Sequence, residues 1–205
     1  MKASEGGDLK DPQFDQNWPG AQKAGLTRGA YHVLNFCKGA EEQFRFITKV
    51  VPKDPDALPI AVDMEWDNGP KNSFQAQCTD VNKIRSTLHT LLVDLERYYG
   101  SIPMIHTSAS GVGAILNSGF DRYPLWLEYF QKSKEFDKTL SREIDGPRLP
   151  GENPWTIWQV SSTGHAPGAS QPITIDVFFG DQKQFASFAA SGFNAGRLAV
   201  TKVDR

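Results

Sequence analysis

The chain has only two cysteines, Cys37 and Cys78, and its four histidines are not grouped. With no Cys-x-x-Cys pair and no His/Cys cluster, a structural zinc site has no ligand set, and no metal or organic cofactor is expected. Apolar runs are short, none approaching the roughly 18 residues of a membrane-spanning helix. Charge of one sign is also missing: 22 Lys and Arg face 24 Asp and Glu, a net charge of -2, spread along the sequence. A polyanion would need a basic face, so nucleic acid is not an expected partner. There is no internal repeat and no low-complexity tract. What remains is 205 residues, 39% of them hydrophobic, enough for one large domain rather than two.

Short apolar runs alternate with helix-like segments through much of the chain, the pattern of an α/β domain with a largely parallel sheet. Strands are expected over 28–36, 58–65 and 102–107, and helices over 40–50 and 79–99. In the second helix Val81, Ile84, Leu88, Leu91, Leu92 and Leu95 recur at three- and four-residue steps before Gly100. Three later apolar runs, 123–129, 155–160 and 173–178, are separated by Gly/Pro-bearing loops rather than helices. A helix over 181–190 follows, and residues 191–205 read as a tail beyond the domain of residues 1–190. Helical crossovers that fade toward the C-terminus suggest an irregular barrel, with its site where the strands end.

One such strand end carries two acids, in Val62-Asp63-Met64-Glu65-Trp66-Asp67. In a strand, residues i and i+2 point the same way, their Cα atoms roughly 6.5–7 Å apart, so Asp63 and Glu65 share a face. Acids projecting from a buried strand must be hydrogen-bonded, paired or shifted in pKa. Spacing alone leaves two readings open, a catalytic pair or a cap for the turn Asp67-Asn68-Gly69-Pro70. Asp176, between Ile175 and Val177, is a third acid that must point inward or find a partner.

Several segments together resemble the glycoside hydrolase family 25 lysozymes, the Chalaropsis-type N-acetylmuramidases. They are Lys2-Ala3-Ser4-Glu5-Gly6, Gly29-Ala30-Tyr31-His32, Asp63-Met64-Glu65, Pro124-Leu125-Trp126-Leu127-Glu128-Tyr129, Trp158-Gln159-Val160-Ser161-Ser162, and Ile175-Asp176-Val177. They occur in the family's order from residue 2 to about 188. The resemblance implies an α/β fold of the modified TIM-like (β/α)5β3 barrel type, hydrolysing the β-1,4 bond between N-acetylmuramic acid and N-acetylglucosamine in peptidoglycan. It implies Glu65 as general acid, Asp63 as its helper and Asp176 as a third carboxylate. Tyr31, Trp126, Tyr129 and Trp158 would offer rings to sugar faces, and Lys2 and Glu5 would bond sugar hydroxyls or brace the acids. Trp126 and Trp158 lie in apolar runs, so a core role fits them too. His32 reads as a satisfied barrel histidine.

The chain also departs from the family pattern. The first strand-helix unit, whose strand carries one of the family's principal carboxylates, has no counterpart. The expectation is therefore a barrel with open edges, prone to low stability or self-association unless another segment, such as the tail, fills the gap. Without that first-strand carboxylate a muramidase of this kind is expected to turn over much more slowly. The corresponding rival is a catalytically inactive glycan-binding relative, and a barrel that recruits a protein strand at its edge is a second. His106 stands where the family tends to have Tyr, and Glu128 adds an acid near the cleft. A disulfide between Cys37 and Cys78, one after each of two strands, would fit an oxidising compartment. A substrate in the cell wall implies a secreted or periplasmic protein, or one delivered by phage or a secretion machine.

Overall fold

The structure, a computed structural model, describes residues 1–66, 78–130 and 155–192. Its strands are β1 (Lys2–Glu5), β2 (Leu9–Lys10), β3 (Tyr31–Val33), β4 (Ala61–Asp63), β5 (Met104–Ser108), β6 (Leu125–Glu128), β7 (Ile157–Gly164) and β8 (Ile173–Phe178). The helices are α1 (Phe14–Lys23), α2 (Ala40–Val50), α3 (Val81–Tyr99), α4 (Ala109–Ile115) and α5 (Gln182–Ser191). One sheet runs β2-β1-β3-β4-β5-β6-β7-β8. Neighbours from β1 to β7 pair parallel, while β2 and β8 pair antiparallel at the two edges. This is the expected mixed α/β architecture, but among the described residues no pairing joins β8 back to β1 or β2, so the sheet is open.

Alternation along the strands sorts their side chains between two layers. Val62, Met64 and Ile105 point outward into a core shared with the helices. That core is dominated by α3, whose Ile84, Leu88, Leu91, Leu92 and Leu95 form a buried stripe. Burying each such side chain fully stabilises the fold by on the order of 2 kcal/mol. The helix is delimited by its sequence. The Asp80 side chain accepts from the backbone N–H groups of Asn82 and Lys83, and Gly100 ends the helix at φ 79°.

The other face is concave. Its lower part is closed by α5, which passes under the sheet and buries Phe188 against Ala61 and Met104, with Phe178 and Phe185 packed alongside. Gly192, at φ 69°, approaches so closely that a Cβ there would lie 2.0 Å from the Ile102 carbonyl oxygen. The backbone N–H of Ile102 in turn donates to Ser191 O at 2.9 Å. The edge of β1 is partly covered by its own hairpin, since β2 pairs Ser4 with Lys10 and Glu5 with Leu9. The tail proposed as filler lies from residue 193 outside the described residues, as does the turn 67–70.

Two helices were not expected from the sequence. In α1 only Phe14 and Trp18 are buried, and Pro19 interrupts the pattern. In α4 the run Ala-Ser-Gly-Val-Gly-Ala-Ile contains two poor helix formers, and its start is fixed by the Ser108 side chain accepting from Gly111 N–H. The two cysteines, whose pairing the sequence alone leaves as a hypothesis, are bonded: Cys37 and Cys78 have Cα atoms 5.4 Å apart. It ties the loop after β3 to the residues preceding α3. No helix among the described residues is long and apolar enough to cross a membrane.

Candidate active site

Parallel register sets Asp63, His106 and Trp126 side by side on β4, β5 and β6. All three project from the concave face, where residues on adjacent strands stand about 4.8 Å apart and are forced into contact. The ring nitrogen Nδ1 of His106 lies 2.8 Å from Asp63 Oδ1. The His106 and Trp126 rings are 4.5 Å apart, edge to face. From the far side, the Trp126 indole N–H donates to Asp176 Oδ1 at 2.7 Å. A continuous row, Asp63–His106–Trp126–Asp176, therefore spans β4 to β8.

Glu65 follows Asp63 by two residues on the same face, just beyond the strand. Both acids, with Asp11, act on Tyr31, whose hydroxyl pKa is pushed up to about 12, chiefly by burial and then by these charges. Tyr31 meets Trp126 edge-on, with centroids 6.5 Å apart. Burial also raises the pKa of Asp176, against the opposing pull of the Trp126 N–H and of His106. A carboxyl so placed ionises less readily than one in water. Glu128 sits one step above Trp126 on β6, level with Ser108 and Gln159.

Beneath these groups is a cavity of 280 Å³. Tyr31, Trp126 and Asp176 contribute to its lining, with Ala61, Met104 and Phe178 below them. Such a cleft, apolar at its base and polar at its mouth, suits a ligand with both ring faces and hydroxyls.

Not every residue singled out in the sequence reaches this cleft. Trp158 is 2% exposed and faces the opposite layer, packed with Leu125, Leu127 and Trp155, its indole N–H donating to Tyr129 O. It is a core residue in this structure and offers no surface to a sugar, because β7 alternation turns it away from the cleft. Tyr129 is exposed just past β6. Lys2 and Glu5 form an ion pair at 2.8 Å on β1, beside Tyr31. His32 belongs to the helix-facing layer. Gln43 Oε1 accepts from the Asn35 backbone N–H and so is also the acceptor for His32 Nε2 at 3.2 Å, while Ser4 Oγ lies 2.9 Å from Nδ1. Both imidazole nitrogens are satisfied, and burial lowers the pKa of His32 to about 4.

The sequence reading missed the part played by His106. It was visible only as a departure from a motif, because nothing in the spacing links residues 63, 106, 126 and 176 until the strands are laid in register.

The model of glycosyl hydrolases family 25 matches residues 1–169. The chain belongs to that family. This family 25 chain is 27% identical over 189 residues to the uncharacterized protein YegX of Escherichia coli (strain K12), an alignment covering 92% of the chain and 61% of YegX. It is 26% identical over 201 residues to lysozyme M1 of Streptomyces globisporus, covering 92% of the chain and 62% of that protein. The chain thus spans about three-fifths of the length of these relatives. Among solved structures, the bacterial lysozyme from Streptomyces coelicolor superposes with a TM-score of 0.75 at 23% identity, covering 92% of this chain and 84% of that one. At that identity the likeness supports the family 25 fold and leaves the chemistry to the site.

Proposed function

We propose that this chain is a peptidoglycan muramidase, cleaving the β-1,4 bond between N-acetylmuramic acid and N-acetylglucosamine. The observation that carries the proposal is the convergence of Asp63, Glu65 and Asp176 on one concave face beside the Tyr31 and Trp126 rings. The lysozymes among its relatives support the same reading.

In this reading Glu65 is the general acid and gives its proton to the leaving glycosidic oxygen. As that bond breaks, the carbonyl oxygen of the substrate's own acetamido group attacks the anomeric carbon and forms a cyclic oxazolinium intermediate. Asp63 accepts the acetamido N–H and stabilises the positive charge that develops. Water, deprotonated by the Glu65 carboxylate, then opens the ring with overall retention of configuration. Asp176, held by Trp126, lines the same cleft, and Tyr31, Trp126 and Tyr129 pack against sugar rings. Lys2 and Glu5 bond hydroxyls at the β1 side. Trp158 is left out of the binding set because it is buried in the other layer.

The test is release of reducing sugar from muramidase-sensitive cell walls by the wild-type chain and by Glu65→Gln. The expected outcome is activity in the first and a loss of roughly 100-fold or more in the second, the scale of a general acid's contribution. Equal release by both, or none by either, would sink the enzymatic reading.

A further inference from the structure

The two histidines of the sheet, His32 buried and His106 mostly so, are wired differently. His32 has a partner on each ring nitrogen and faces the helices. His106 faces the acids: Nδ1 meets Asp63, and Nε2 is buried with no hydrogen-bond partner among the described residues. A histidine kept only to fill space needs neither contact, and one kept to knit the sheet together would use both nitrogens. His106 uses one, and uses it on a carboxylate of the candidate site.

We propose that His106 is a positioning residue for Asp63, donating Nδ1–H to Oδ1 and fixing that carboxylate against an imidazole that is itself backed by the Trp126 ring. This rests on the muramidase reading. A carboxylate oxygen without a proton can only accept, so in this contact the proton is carried by Nδ1 of the imidazole. The side chains of His106 and Asp63 are only 12% and 13% exposed, so solvent competes little for the contact. With Oδ1 committed to His106, Oδ2 is the oxygen that takes the substrate's acetamido N–H. Trp126 completes the arrangement. It backs the imidazole on one side and donates to Asp176 on the other, so a shift of the His106 ring is transmitted to the platform and to the third acid.

Three substitutions separate positioning from packing. Asn places an amide N–H near the position of Nδ1, Gln places one near that of Nε2, and Phe keeps the ring without either donor. Steady-state kinetics on soluble peptidoglycan oligosaccharides should show His106→Asn within about threefold of wild type in kcat. His106→Gln and His106→Phe should fall roughly 100-fold, the loss typical of a misplaced catalytic group, with little change in KM. Equal losses in all three variants, or a change confined to KM, would overturn the proposal while leaving the muramidase reading intact. Nitrogen-15 NMR of the imidazoles supplies a readout independent of turnover. The wild type should show the Nδ1–H tautomer at His106, and Asp63→Asn should redistribute it. An Nε2–H tautomer in the wild type refutes the pairing. Absence of hydrolysis by the wild-type chain, with the Nδ1–H tautomer present, would instead refute the muramidase reading and retain the His106–Asp63 contact.

Discussion

Trp126 on β6 and Asp176 on β8 are joined by a 2.7 Å hydrogen bond that crosses the intervening strand β7 on the concave face. The bond gives the indole two functions, as a wall for His106 and as the donor that partly offsets the burial of Asp176. Trp126→Phe keeps an aromatic wall and removes the donor. Asp176 then ionises less readily, and the loss of one hydrogen bond to a charged group should lower stability by about 1–2 kcal/mol. Chemical denaturation measures that cost. On cell walls the variant should lose about tenfold or more in kcat/KM, because Asp176 is released from its fixed position.

His32 makes stability depend on pH in a predictable direction. Its folded pKa of about 4 lies below the 6.5 of an unhindered imidazole. Between those values the unfolded chain binds a proton that the native state does not, so stability is complete above pH 6.5 and declines as pH falls toward 4. The full window corresponds to about 3 kcal/mol. Urea unfolding at pH 7 and pH 4.5 should show most of that loss. In His32→Gln, which cannot titrate, the pH dependence over this interval should flatten while stability at pH 7 drops through the broken contacts with Ser4 and Gln43.

Much of the architecture was legible because local pattern and tertiary role agree. The α2 range 40–50 and the long α3 follow from apolar spacing and, for the latter, from the Gly100 stop, whereas the Asp80 cap that starts α3 two residues later than expected is seen only in the structure. β8 coincides with the apolar run 173–178. Legibility failed where tertiary contact overrides weak local preference. α1 carries Pro19 inside it and is held by Phe14, Trp18 and the Arg28 guanidinium 4.8 Å from the Trp18 ring. Within the site, Asp63 and Glu65 announce themselves by spacing, whereas Trp126 and Trp158 look alike in sequence. Strand alternation alone divides them, sending Trp126 to the acids and Trp158 to the core. His106 was illegible for a different reason, since its role depends on register between strands whose members are 43 and 20 positions away in sequence.

The Cys37–Cys78 bond closes a loop with a sequence separation of 41, and that loop contains β4 and its acids. Chain-entropy arguments assign such a cross-link about 4 kcal/mol through restriction of the unfolded chain. Thiol titration of the denatured, unreduced protein should find no free thiol. The Cys37→Ser/Cys78→Ser variant should unfold at a markedly lower denaturant concentration than wild type, and reduction should bring the wild type to the same midpoint. Two titratable thiols in the unreduced protein would remove the basis for this effect.

Gly192 tests whether α5 is held in place by backbone proximity. Any Cβ at this position meets two obstacles, the positive φ of 69° and the Ile102 carbonyl oxygen at 2.0 Å. Gly100 at the end of α3 has a similar φ, 79°, with nothing within 4 Å of the position a Cβ would take. Gly100→Ala therefore isolates the conformational penalty, about 1–2 kcal/mol. Gly192→Ala must pay that and also displace the Ile102–Ser191 hydrogen bond, so it should cost about 1–3 kcal/mol more. Because α5 carries Phe185 and Phe188 under the concave face, the same variant should loosen the floor of the cavity and raise binding of a hydrophobic dye to the native protein. Equal costs for the two glycine substitutions would mean that α5 can withdraw from Ile102 without penalty, and that the floor of the site does not depend on this contact.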